Sequence, residues 1–172
     1  MQVAEVVALG YRYPTPSSAD ELSTAIAALL HGGIERDMRR FHGGVSSLSL
    51  GEWEELHTST LDLSPMFVPY VGHVVWGENY RRGEFMAELK GSMAAAGVDL
   101  GGELPDHIEP VLRYLAATPE PLADLLEVLP GAVDSMRDTL RKVAPDNPYR
   151  HLLAATDAFV GDFRPLPIGE RA

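Results

Sequence analysis

Apolar positions recur along this chain at intervals of three and four residues, between clusters of glycine, proline and serine, and that period predicts helix after helix. Val3, Val6, Val7 and Tyr11 share one face of a short first helix, which should end near Gly10 because Pro14 disfavours a helical Tyr13. Ser18-Ala19-Asp20-Glu21 has the S-x-x-E form of a capping box, ahead of Leu22, Ile26, Leu29 and Leu30, with Gly32 and Gly33 as the stop. Ile34, Met38 and Phe41 make the next stripe before Gly43-Gly44. Ser49-Leu50-Gly51-Glu52 repeats the capping-box pattern before Trp53, Leu56 and Thr60. Pro65 and Pro69 forbid one regular helix between Asp62 and Tyr70, so this segment should turn tightly and carry Phe67, Val68 and Tyr70 inward.

Phe85, Met86, Leu89, Met93 and Ala94-Ala95-Ala96 predict a long helix from near Asn79 to Gly97, with alanines suited to close packing at the centre of the fold. After a loop from Val98 to Glu103, Pro105 fits a first helical turn, and Leu104, Ile108, Leu112 and Leu115 form a buried stripe. Thr118-Pro119-Glu120 signals another start, followed by Leu122, Leu125, Leu126 and Leu129 until Pro130 breaks or kinks the rod. Val133, Met136, Leu140 and Val143 mark a further face, and Asn147-Pro148 opens a helix bearing Tyr149, Leu152, Leu153 and Phe159. No apolar run is flanked by hairpin signals. The expected fold is all-α, a single irregular bundle of roughly eight to eleven helices over residues 1–160, with 161–172 as an extended or mobile tail.

Composition narrows the function classes. With 172 residues, 45% of them apolar, the chain can bury a sizeable core as one domain. A net charge of −11 opposes a nucleic-acid partner and favours a basic one. The absence of cysteine removes disulfides, iron–sulfur ligation and a thiol nucleophile. No segment approaches the roughly 20 apolar residues of a membrane span, and a cytoplasmic protein is expected.

The candidate chemistry centres on Glu103-Leu104-Pro105-Asp106-His107, an acidic approach to a helix. Asp106 can accept hydrogen bonds from free N–H groups of the first turn, Glu103 can cap from outside, and His107 can fix the loop by a hydrogen bond. Asp106, Glu109 and Arg113 should lie along the exposed side, Glu109 and Arg113 in the favourable acid-before-base order. Of Arg81 and Arg82, which point to different sides of any helix, one should pair with an acid such as Asp62 or Glu78. Trp53, Tyr70, Trp76, Tyr80 and Phe85 cluster nearby, and an apolar groove rimmed by Glu103 and Asp106 would accept a helix or extended peptide carrying basic residues. The sequence has no H-E-x-x-H or EF-hand pattern, no G-x-S-x-G and no phosphate-binding glycine loop, so neither a metal nor a cofactor is expected.

The blocks Glu55-Leu56-His57-Thr58-Ser59-Thr60-Leu61-Asp62-Leu63-Ser64-Pro65, Arg81-Arg82-Gly83-Glu84-Phe85, Ala96-Gly97 and Glu103-Leu104-Pro105-Asp106-His107-Ile108, then Leu112 and Tyr114, resemble the nitrate reductase delta-subunit (NarJ) family of molybdoenzyme assembly chaperones, related to the TorD and DmsD group. The order and spacing carry this resemblance, which is strongest from Glu55 to Tyr114. It implies a cofactor-free, all-helical chaperone that binds the N-terminal segment of a cofactor-free molybdopterin oxidoreductase catalytic subunit. The respiratory nitrate reductase alpha subunit is the client it suggests, held for molybdenum cofactor insertion before membrane attachment or export. By the same resemblance, peptide recognition falls on Glu103, Pro105, Asp106 and His107, with Asp62, Tyr70 and Arg82 in the neighbouring region. Glu109 stands where many relatives have proline, and Arg113 where they have an acid. The chaperone would act as a monomer or homodimer without inserting into a membrane. Two other readings compete: a small acid-dependent hydrolase using Glu103 and Asp106, and a permanent structural subunit of a reductase complex.

Overall fold

The helical period is realised throughout the computed structural model, which describes residues 3–63 and 65–163; nine α-helices and no strand occur among the described residues. They are α1 (Val3–Leu9), α2 (Ser18–Ala27), α3 (Gly33–Ser46), α4 (Leu50–His57), α5 (Val71–Trp76), α6 (Tyr80–Ala95), α7 (Ile108–Ala117), α8 (Ala123–Val143) and α9 (Tyr149–Val160). A π-turn over Thr58–Asp62 extends α4, and a 3₁₀ turn over Gly161–Phe163 follows α9. No described helix is long and apolar enough to cross a membrane.

α1 lies against α7 and α9, α3 and α8 both pack on α9, and α5 bridges α8 and α6. The core they enclose includes Val6, Val7, Phe41, Ile108, Leu112, Leu153 and Tyr149, all fully buried. Two polar ties run through it: the Tyr11 hydroxyl meets Thr156 Oγ1 at 2.7 Å, and Trp53 Nε1–H donates to the Tyr149 hydroxyl at 3.4 Å. Burial raises the pKa of both phenols, so each stays a neutral hydrogen-bonding group.

Several boundaries differ from the sequence expectation for local reasons. The Ser49–Glu52 capping box forms in full, each side chain bonding the other's backbone N–H. The Ser18 pattern does not: Ser18 is already helical and its Oγ accepts from the Thr15 N–H at 2.9 Å. α2 also stops at Ala27, which leaves Leu30 exposed rather than buried. Gly43 and Gly44 lie inside α3 because α9 approaches there, and a Cβ on Gly44 would sit 2.8 Å from Pro148 Cβ. Thr118 is the C-cap of α7, while α8 begins at Ala123 and runs uninterrupted through Pro130, with Val143 at its exposed end. α6 is peripheral, with Ala94 and Ala95 facing solvent rather than a central seam. Of the expected tail, residues 161–163 are the turn noted above, where Phe163 packs edge-on against Phe159; the remainder, 164–172, lies outside the described residues.

Candidate functional site

The segment before α7 is shaped by Gly101 and Gly102, both with positive φ (59° and 88°), a conformation that side-chain-bearing residues rarely adopt. Their turn brings Glu103 back toward the loop preceding α5. There Tyr70 and His107 form an isolated antiparallel bridge: the Val71 N–H donates to Asp106 O at 2.7 Å and the Ile108 N–H to Pro69 O at 2.9 Å. The Tyr70 hydroxyl donates to Glu103 Oε1 at 3.1 Å, and its ring meets the His107 ring edge-on with centroids 5.1 Å apart. Burial and the Glu103 carboxylate together push the Tyr70 phenol up to about 12.

Asp106 departs from the expected exposed acid. It precedes α7 and is 0% exposed, and its carboxylate accepts from Arg82 Nε at 2.9 Å and Nη2 at 3.3 Å. Arg82 reaches it from α6 and also approaches Glu78 at 3.6 Å; Asp62, the other acid expected as a partner, is not bound to it. The Asp106 hydrogen bond holds the guanidinium more firmly charged than usual. Gly72 makes room for the pair, because a Cβ there would lie 2.7 Å from Asp106 Oδ2. A buried pair of this kind fixes geometry, and its acid is already neutralised from within. Arg81 lies instead over the Trp76 ring at 5.8 Å.

His107 is the N-cap of α7 rather than a first-turn residue, and its Nδ1 accepts from the Glu109 N–H at 3.2 Å. Pro105 also lies before the helix and is buried; it is Pro110 that falls in the first turn. Desolvation lowers the His107 pKa against the opposing pull of Glu103, Glu109 and Asp106, so the ring is neutral and its Nε2 carries the proton.

Asp62, Tyr70, Glu103 and His107 line a single cleft of about 380 Å³, whose other walls include Tyr13, His57 and Arg113. Pro105, Asp106 and Arg82 stand outside its lining as supports. Within the cleft Glu109 is held by Arg12 at 3.0 Å and by Arg113 at 2.9 Å, while Asp62 is exposed. The acid pair of a carboxylate hydrolase, Glu103 with Asp106, is not assembled here, since one carboxylate lines the cleft and the other is sealed behind it.

Of the opposite wall, sequence reasoning singles out Asp62 but not the turn that carries it. In the π-turn the Leu63 N–H reaches five residues back to Thr58 O at 3.0 Å, burying Thr60 and Leu61 while Asp62 and Leu63 stay exposed. Asn147 pins this turn to α9: its Nδ2 donates to Thr60 Oγ1 at 2.9 Å, and its Oδ1 accepts from the Tyr149 N–H at 2.9 Å. His57, immediately before the turn, is 8% exposed; its Nε2–H donates to Tyr11 O at 3.1 Å, and its Nδ1 has no hydrogen-bond partner. Desolvation lowers its pKa as well. No signal in the sequence marks a π-turn; the buried Asn147 was readable only as a helix start.

The cleft therefore presents a tyrosine and the unpaired carboxylates of Asp62 and Glu103, with the partnerless His57 Nδ1 buried behind its wall, a set fitted to attracting cationic N–H donors. Among the described residues no group of three or more histidines and acids is placed to hold a metal ion. Comparison with protein families finds no family that matches the chain, and comparison with curated proteins finds no match.

Proposed function

We propose that this chain is an assembly chaperone that binds the N-terminal segment of a cofactor-free molybdopterin oxidoreductase catalytic subunit, the alpha subunit of a respiratory nitrate reductase. It holds that subunit in the cytoplasm for molybdenum cofactor insertion before membrane attachment or export. The observation that carries this reading is the convergence of Asp62, Tyr70, Glu103 and His107, separated by up to 45 positions in sequence, on one cleft of an all-α fold. The resemblance in the ordered blocks from Glu55 to Tyr114 supplies the client class.

Apolar side chains of the client segment would bury against the cleft walls and supply most of the affinity. Glu103 and Asp62, rather than the sealed Asp106, would meet an arginine or lysine and improve encounter and selection. Release then follows from competition by the client's own folding.

The test is co-expression with the neighbouring molybdoenzyme subunit in cells able and unable to make the cofactor. Capture of the cofactor-free subunit and of its N-terminal peptide, with loss of the cofactor-loaded form, is the expected result. Failure to bind either one refutes the reading, and fixed-stoichiometry copurification with mature enzyme would make the chain a permanent subunit instead.

A further inference from the structure

We propose that the cleft is one end of a longer groove that docks a cationic amphipathic segment of a partner polypeptide, with Tyr13 and Leu63 forming its apolar anchor site. The proposal rests on the chaperone reading and adds residues outside the expected peptide site. A second hollow of about 380 Å³ runs along α4 and the π-turn, lined by Tyr13, Glu54, Glu55, Thr58, Ser59 and Leu63. It shares Tyr13 with the cleft, so the two hollows adjoin at that ring, with Asp62 lining one and Leu63 the other.

Both requirements of an amphipathic cation are met there. Leu63 is 71% exposed and Tyr13 is 54% exposed, two large apolar side chains bordering the same hollow, where isolated exposed residues would need no explanation. Glu54 and Glu55 border this hollow and Asp62 and Glu103 the cleft, and none of the four has an ion-pair partner among the described residues. The two arginines of the cleft, Arg12 and Arg113, are both committed to Glu109. The surplus is negative, which repels a polyphosphate and attracts a guanidinium or ammonium.

His57 supplies an independent sign. It is more than nine-tenths buried and lines the cleft, and with Nε2–H committed to Tyr11 O its bare Nδ1 lone pair lacks a donor. A buried acceptor without a partner is costly to the free protein, and it marks the wall behind Tyr13 as one whose hydrogen bonding the chain does not complete by itself. The Tyr13 ring packs edge-on against His57 with centroids 5.2 Å apart, so the partnerless imidazole lies directly behind the apolar anchor.

The test uses the whole protein and a fluorescein-labelled amphipathic helical peptide of Leu, Ala and Arg, with a counterpart in which Glu replaces Arg, read by fluorescence anisotropy. The Arg peptide should bind and the Glu peptide should not. The double substitution Asp62→Asn with Leu63→Ser should weaken binding by about tenfold or more, ~1.4 kcal/mol. Both side chains are exposed, so the fold should stand. Val143→Ser, at an exposed position outside both hollows, should leave the affinity unchanged. Equal binding of the two peptides, or unchanged affinity in the double variant, overturns the proposal. Capture of the cofactor-free client separates the two readings. A peptide that binds through Asp62 and Leu63 while the client is not captured leaves the groove and removes the chaperone. A client captured equally by wild type and double variant does the reverse.

Discussion

Asp106→Asn should destabilise the protein by ~3 kcal/mol, because it leaves the Arg82 guanidinium facing a neutral amide in a site closed to water. The carboxylate is 0% and the arginine side chain 11% exposed, and two hydrogen bonds of 2.9 and 3.3 Å join them. Removing one member of such a pair costs about 3–5 kcal/mol. Arg82 keeps Glu78 within 3.6 Å, an acid that is itself 83% exposed, which places the loss at the lower end. For a chain of 172 residues, ~3 kcal/mol corresponds to a fall in Tm of about 6–12 °C, at roughly 2–4 °C per kcal/mol. Calorimetry and urea denaturation measure it directly. Combining Asp106→Asn with Arg82→Gln should recover most of the loss, since no uncompensated charge remains. A loss below about 1 kcal/mol, or a double variant no better than the sum of its parts, would refute the reasoning.

Two further tests probe the packing and the buried imidazoles. Gly44→Ala should lower Tm, because the new methyl would meet the rigid Pro148 ring at 2.8 and 3.0 Å and force α3 from α9, an overpacking cost of about 1–3 kcal/mol that opposes the helix-propensity gain. Gly43→Ala, with nothing within 4 Å, should hold or raise Tm, and equal shifts in the two variants would contradict the close approach. His57 and His107 both have folded pKa values below the ordinary one, so the unfolded chain binds more protons as the pH falls past about 6.5. Stability should therefore drop on acidification from about pH 7.5 to 5.5, each histidine contributing at most ~1.4 kcal/mol per pH unit. Urea midpoints across that range measure it, and His57→Gln with His107→Gln should flatten the profile; an unflattened slope would assign the effect to other groups.

What the sequence made legible was whatever local chemistry alone decides. Ser49-x-x-Glu52 became a complete box because nothing nearby competes for Ser49, whereas Ser18 had a rival donor in the Thr15 N–H three residues back. Thr118-Pro119-Glu120 failed as a start because Thr118 still closes α7, and the Leu122 N–H finds the Tyr114 hydroxyl at 3.1 Å. The acidic approach to a helix points to Glu103 and His107, and the family resemblance adds Asp62 and Tyr70, but the meeting of the four depends on a two-residue bridge between distant loops. Asp106 was misjudged as exposed for the same reason: its partner Arg82 lies 24 positions away, and only the path of the chain past Gly72 brings them together. The π-turn and the Asn147 tether that secures it are likewise products of tertiary packing, with no periodic signature to announce them.

The position of α1 has a consequence for synthesis on the ribosome. Its seven residues are too few to hold a helix unaided, and apart from a smaller contact with α2 its cover comes from α7 and α9, which are translated long afterwards. The buried face of α1, with Val6 and Val7, therefore lacks most of its cover while most of the polypeptide emerges. A nascent chain interrupted before Tyr149 cannot close its own interior, so folding is completed only by the arrival of the α9 segment.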